Sequence, residues 1–206
     1  VVPAFGETGL DAIQGRYGNL DQVEVIFALA DGDAATTIPD GAKAIRGPKG
    51  RASQMNAGAA IASGDILLFL HADTSIPPQS LDGARLALAN PKVAAGAYSL
   101  RVDGPGWWFA FISAIANLRS RRFAMPFGDQ AIFLTKETFL RIGGYENIPI
   151  LEDVRLVEAA AKLGQIIILP AIASTSPRKW LSRGKYVTTA RHWLIMISHR
   201  LQPTNR

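Results

Sequence analysis

The chain has 206 residues, 48% hydrophobic and 19% charged, with no cysteine. That is apolar content for one packed core, and it excludes a disordered chain, a disulfide scaffold, a thiolate metal site and a cysteine nucleophile. A formal net charge of +5 is compatible with an anionic partner, but there is no run of five or six like charges and no basic tail of the nucleic-acid-binding kind, so no nucleic-acid partner is expected.

Val1-Val2-Pro3-Ala4-Phe5 reads as the end of a buried strand running into a loop at Gly6-Glu7. Val23 to Ala30 is a second strand, closed by the acidic turn Asp31-Gly32-Asp33. Residues 51 to 62 carry Ala52, Met55, Ala59 and Ala62 on one helical face, with Gly64 where the helix would stop. Ile66 to Leu70 is continuously apolar, the pattern of a central strand buried on both faces, and it runs into His71-Ala72-Asp73-Thr74. Pro77-Pro78 opens a helix closed by Asn90-Pro91. Val93–Val102 and Gln130–Leu134 read as strands, and Thr135 caps a short helix ending at Gly143-Gly144. Leu151 to Leu163 is an amphipathic helix, and Ile166 to Leu169 a further buried strand.

Trp107 to Arg122 is apolar first and basic at its end. Its apolar part is too short to span a bilayer and reads as a core or rim helix in preference to an interfacial one. A basic, aromatic helical segment closes the chain over residues 180 to 206 (Trp180, Arg183, Lys185, Tyr186, Arg191, His192, Trp193). It reads either as a contact with an acidic membrane surface carrying a lipid acceptor or as a lid over a bound diphosphate. Strands alternating with helices in the first half imply a parallel α/β sheet. The less regular second half implies a mixed sheet, and the lack of repeats and linkers implies one domain over 1–206.

In an open parallel sheet, ligands bind beyond the carboxyl ends of the strands. That rule selects the Phe5-Gly6-Glu7 loop, the turn from Asp31 to Asp33, and the His71–Thr74 end. In extended backbone His71 and Asp73 would share a side, and one carboxylate on a crevice suits Mg²⁺ or Mn²⁺; a turn-capping Asp73 is the competing reading. The Gly47–Gly58 stretch sets Lys49 and Arg51 at a helix start, an anion site if it is more than a solvated loop. Glu152 and Asp153 open the helix near 151, where the helix dipole favours acids and where a general base could also stand.

In their order these segments resemble the family 2 glycosyltransferases. The shared marks are Pro3-Ala4-Phe5-Gly6-Glu7 for Pro-x-x-Asn-Glu, the acidic turn at Asp31 to Asp33, Gly-x-x-x-Gln-x-Asn-x-Gly at Gly50 to Gly58, His71-Ala72-Asp73 for Asp-x-Asp, and a Gly-Gly-aromatic turn before Glu152-Asp153. The fit is closest to a small bacterial branch with His-Ala-Asp-Thr, Gly128-Asp129-Gln130 and Arg178-Lys179-Trp180. The resemblance implies a GT-A fold and a cytoplasmic enzyme, peripheral at the inner membrane face if the C-terminal segment docks there. It also implies transfer of a sugar with inversion from a nucleoside-diphosphate sugar, a UDP-sugar by the family's commonest choice, to an acceptor hydroxyl. Pro3, Glu7, Asp31, Asp33, Lys49, Arg51, Asn56 and His71 would then bind the nucleotide and Asp73 the divalent cation. Asp153 would be the base with Glu152 beside it, while Asp129, Gln130, Arg178 and Trp180 would face sugar or acceptor. The alternatives are a catalytically silent sugar-nucleotide or lipid binder of the same fold, and a nucleotidyltransferase, which would carry a Gly-rich, Arg-containing loop that Phe5 to Leu10 lacks.

Overall fold

The computed structural model describes residues 1–7 and 9–183. The basic segment expected over 180–206 therefore lies outside the described residues from 184 onward. In chain order the strands are β1 (Val2–Ala4), β2 (Ile26–Ala30), β3 (Lys43–Gly47), β4 (Ile66–Phe69), β5 (Thr74–Ser75), β6 (Val93–Val102), β7 (Ile132–Thr135) and β8 (Gln165–Thr175). The helices are α1 (Leu10–Tyr17), α2 (Arg51–Ile61), α3 (Leu81–Leu88), α4 (Trp107–Phe123), α5 (Lys136–Arg141), α6 (Glu152–Ala161) and α7 (Arg178–Arg183).

β1, β2 and β3 form a parallel ladder. The Val1 amino group donates to the Leu68 carbonyl at 2.7 Å and Leu70 N donates back to Val1 O at 3.0 Å. These bonds join the ladder to β4 and to the mixed sheet of order β4-β7-β6-β8-β5. β7 runs antiparallel to both β4 and β6, while β8 runs parallel to β6. The architecture is the mixed α/β, Rossmann-like GT-A sheet expected from the sequence.

Central placement of β4 follows, but burial on both faces does not. Leu67 and Phe69 are buried, Phe69 edge-on to Tyr145 with ring centroids 4.9 Å apart, whereas Ile66 and Leu68 are half-buried. Those two line an apolar cavity of about 770 Å³ shared with Val1, Ile13, Tyr17 and Ile76.

β2 starts at Ile26, not Val23, because β3 begins only at Lys43, opposite Ile26, and β1 pairs no earlier than Phe27. Two elements have weak sequence signals. α1 is eight residues long and buries only Leu10, Ile13 and Tyr17. β3 is an edge strand with exposed Lys43 and Arg46, the polar composition that keeps edges from aggregating. β8 runs past the expected end at Leu169 because Pro170 sits in a bulge, where the register on β6 jumps from Leu169 to Ile172 and no ladder N–H is required. Thr135 caps α5 as expected, its hydroxyl accepting from Thr138 N at 3.1 Å.

The sheet interior has little room. A β-carbon at Gly96 would lie 2.3 Å from Phe133 Cζ and 3.0 Å from Ile167 Cγ1. Gly96→Ala is therefore expected to cost about 1–3 kcal/mol and to lower the melting temperature by several degrees, with recovery when Phe133→Leu is added. An unchanged melting curve for Gly96→Ala would contradict this packing.

Candidate active site

The carboxyl ends of β1 and β4 and the start of α2 enclose a cleft of about 270 Å³. It brings together six of the expected residues: Pro3, Glu7, Lys49, Arg51, His71 and Asp73. Gln54, whose signal lay in the helical Gly-x-x-x-Gln motif, supports its floor. The buried Gln54 side-chain amide donates to Ala4 O and Ala28 O, each at 2.7 Å, and so fixes the end of β1 beside the middle of β2. Gly50 stands at the start of α2 with φ 145°, backbone that side chains beyond glycine rarely adopt. The helix N-terminus, Lys49 and Arg51 give this wall a positive potential. Lys49 Nζ lies 4.0 Å over the Phe5 ring. Arg178, at the start of α7, reaches Glu7 at 3.2 Å.

The His71–Thr74 segment is a turn, not the extended run expected, with Thr74 N donating to His71 O at 3.0 Å. His71 and Asp73 still share the cleft because Ser176 N, just past β8, donates to Asp73 O at 3.0 Å and holds the turn.

Asp153 meets this cleft at Gly128. Its Oδ2 accepts from Gly128 N at 2.6 Å and its Oδ1 from Val154 N at 2.8 Å, so two backbone donors set the carboxylate at the start of α6. A β-carbon at Gly128 would stand 2.7 Å from His71 Nε2 and 3.3 Å from Asp153 Oδ2. Imidazole and carboxylate thus converge on the space that only glycine leaves open. Arg119, from α4, is a functional candidate that sequence reading missed. Its guanidinium lies 3.5 Å over the Phe127 ring. Burial lowers its pKa, and the charges of Asp129 and Asp153 oppose that shift. The only sequence signal was the basic end of α4, which does not say which arginine turns inward.

Other expected site residues serve the framework. Glu152 is 3% exposed and pairs with Arg51 at 3.1 Å. Burial raises its pKa, Asp153 adds to the rise and Arg51 opposes it. It anchors Arg51 and does not open on the cleft beside Asp153. Asn56 clamps the turn before α6, its amide donating to Tyr145 O at 2.8 Å and accepting from Tyr145 N at 2.9 Å. Asp33 is buried, with its carboxylate accepting from Thr36 Oγ1, Gly6 N, Thr36 N and Ala35 N. The Thr36 hydroxyl first, and then those backbone donors, hold its pKa low. Asp33 shapes the Gly6-Glu7 loop from behind, while Asp31 is exposed at the turn. Gln130 is fully buried, accepting from Ser120 Oγ at 2.7 Å and donating to Tyr98 O at 2.9 Å. Trp180 packs with Leu100, Val102 and Phe109 instead of facing an acceptor.

The model of glycosyl transferase family 2 matches residues 23–144. The chain belongs to glycosyl transferase family 2. No curated relative matches the sequence. Among solved structures, a mannosyltransferase from Pyrobaculum calidifontis in complex with GDP-Man and Mn²⁺ is 20% identical over 84% of this chain and 55% of that one, with a TM-score of 0.61. A mycobacterial protein is 18% identical over 85% of this chain and 63% of that one, with a TM-score of 0.54. The family 2 chain thus spans less than two thirds of either neighbour, and the likeness is one of fold.

The donor set bears on the metal that family 2 membership implies. Among the described residues no cluster of three or more His or acidic side chains could cage an ion by itself. Two carboxylates, Glu7 and Asp73, line the cleft beside Lys49 and Arg51, and Glu7 is paired to Arg178. That fits a hard cation completing its shell with phosphate oxygens and water.

The convergence on Gly128 gives a structural test. Gly128→Ala must push His71 or Asp153 aside, so the ring resonances of His71, one of three histidines, are expected to move while the other two stay in place. An unperturbed His71 spectrum in that variant would show that the two side chains do not meet there.

Proposed function

We propose that this glycosyltransferase moves a sugar from a nucleoside-diphosphate sugar to an acceptor hydroxyl by a single inverting displacement. The observation that supports the reading is the junction at Gly128, where a cleft carrying Lys49, Arg51 and Asp73 adjoins a carboxylate oriented by backbone donors.

Lys49, Arg51 and the N-terminus of α2 would bind the diphosphate, and Glu7, paired to Arg178, would bound the nucleoside side. Asp73 would hold Mg²⁺ or Mn²⁺, which when bound neutralises charge on the leaving diphosphate. The acceptor oxygen forms its bond to the anomeric carbon as the bond from that carbon to the phosphate oxygen breaks. The acceptor proton passes to Asp153, and the nucleoside diphosphate leaves. Arg119 and Asp129 would flank the acceptor side of Asp153. Uridine is the first base to test, with guanosine beside it because the Pyrobaculum calidifontis mannosyltransferase is solved with GDP-Man.

Calorimetric titration with a panel of nucleoside diphosphates, with and without Mn²⁺, tests the donor site. One nucleotide is expected to bind in a metal-dependent manner and to lose about tenfold or more in affinity in Asp73→Ala. No binding by any nucleotide would overturn the donor assignment. Asp153→Asn is expected to keep nucleotide affinity and to lose about 10²–10⁴-fold in turnover, followed as nucleoside diphosphate released from the sugar nucleotide in the presence of acceptor. Full turnover in Asp153→Asn would remove it as the base, and binding without turnover in the unaltered chain would favour a silent binder.

A further inference from the structure

α4 buries one face and leaves another bare. Phe109, Ser113 and Ser120 turn inward, and Asn117 ties the helix to β6 through both Leu100 N (2.7 Å) and Leu100 O (2.9 Å). On the opposite side Trp107, Phe111, Ala114 and Leu118 follow one another at spacings of four, three and four residues, which sets them in a single stripe. All four are exposed, Trp107 to 72%, Phe111 to 47% and Leu118 to 67%. Single exposed apolar residues are ordinary, but a contiguous stripe of this kind marks a surface that is covered in use.

Charge selects the occupant. No acidic residue occurs between 107 and 123, and the exposed Arg121 and Arg122 stand at the end of the stripe on a chain of net charge +5. Tryptophan at one end, bulky apolar groups in the middle and arginine at the other is the composition of a helix lying in the plane of an anionic bilayer. No helix among the described residues is long and apolar enough to cross a membrane. A second copy would bring like net charges together, whereas acidic headgroups meet the arginines with opposite charge.

We propose that the exposed face of α4 docks on an anionic lipid surface, with Trp107, Phe111 and Leu118 entering the interface and Arg121 and Arg122 at the headgroups. Binding to the surface does not depend on the transfer reading. Its consequence does: Arg119, on the same helix, contacts Phe127 and Gln130 on either side of the Gly128-Asp129 turn that bonds Asp153, so docking would hold that end of the site near a lipid-borne acceptor.

The absence of cysteine lets a single label report each position. Phe111→Cys and Leu118→Cys, each carrying a polarity-sensitive dye, are mixed with phosphatidylcholine vesicles with or without phosphatidylglycerol. Glu137→Cys on α5 is the control. The expected result is a blue-shifted, brighter dye at 111 and 118 with anionic vesicles only, and no change at 137. Co-flotation of the unlabelled full chain should fall about tenfold or more in Trp107→Ser/Phe111→Ser and in Arg121→Gln/Arg122→Gln, with melting temperatures kept. Several results overturn the proposal. These are no flotation, flotation indifferent to both double variants, a dye already in an apolar setting and unmoved by vesicles because residues 184–206 or another molecule cover the face, or a concentration-dependent dimer that the Trp107→Ser/Phe111→Ser change abolishes.

Discussion

The meeting of the cleft with the carboxylate beside it rests on the hydrogen bond from Gly128 N to Asp153 Oδ2. It joins the turn before β7 to the first turn of α6, and His71, beyond β4, packs against the same glycine. Three segments separated widely in sequence are thereby held at one point. A short bond from a main-chain donor to a carboxylate is strong and directional, and it costs no side-chain entropy on the donor side. The residue at 128 must also be small enough for the imidazole and carboxylate to approach each other. The requirement for a glycine and the placement of the two functional groups are therefore one constraint.

Around that point the structure divides its polar residues between holding and doing. Gln54, Asn56, Asp33, Gln130 and Glu152 are spent on neighbours: strand ends, the Tyr145 turn, the Gly6 loop, the Tyr98 carbonyl and Arg51. Buried polar groups need such partners, and in return they fix backbone geometry more firmly than apolar packing alone would. What remains open on the cleft is a short set of charges of both signs, with Lys49 and Arg51 facing Asp73 and Glu7. Many of the family motif residues are in this way committed to the walls of the cleft.

Much of this was legible in the sequence, and the failures have physical causes. The strand at 93–102 and the Thr135 cap follow from local pattern; the rule about strand ends and the cations at the start of α2 point to Glu7, Lys49, Arg51, His71 and Asp73, and the family resemblance adds Pro3 and groups them. The edge strand β3 escaped because its exposed residues hide the period-2 signal. The outer half of β8 escaped because Pro170 reads as a break when it is a bulge. Which of several polar residues faces the cleft was beyond local pattern altogether. Asp33 and Asn56 carry the same chemistry as a ligand-binding Asp or Asn, and only their tertiary partners show that they are structural supports. Arg119 is the converse case, an inward residue and the first of three arginines within 119–122, a stretch that reads as a solvated helix end. The stripe on α4 shows the same limit, since a rim helix and an interfacial helix differ in what lies against them and not in their own residues.

The cleft also has a place in time. Its first loop is held by Arg178, 171 residues away from Glu7, and the turn bearing Asp73 is held by Ser176. Both are exposed or peripheral bonds of small energy, yet they connect the start of the chain to segments synthesised near the end of the described region. Contacts of such sequence separation form late, after the loop they close has lost its freedom. On a ribosome the inner strands and α2 can fold while the cleft still lacks two of its fastenings. A chain made only as far as β8 would hold its whole sheet and still lack both fastenings of the cleft.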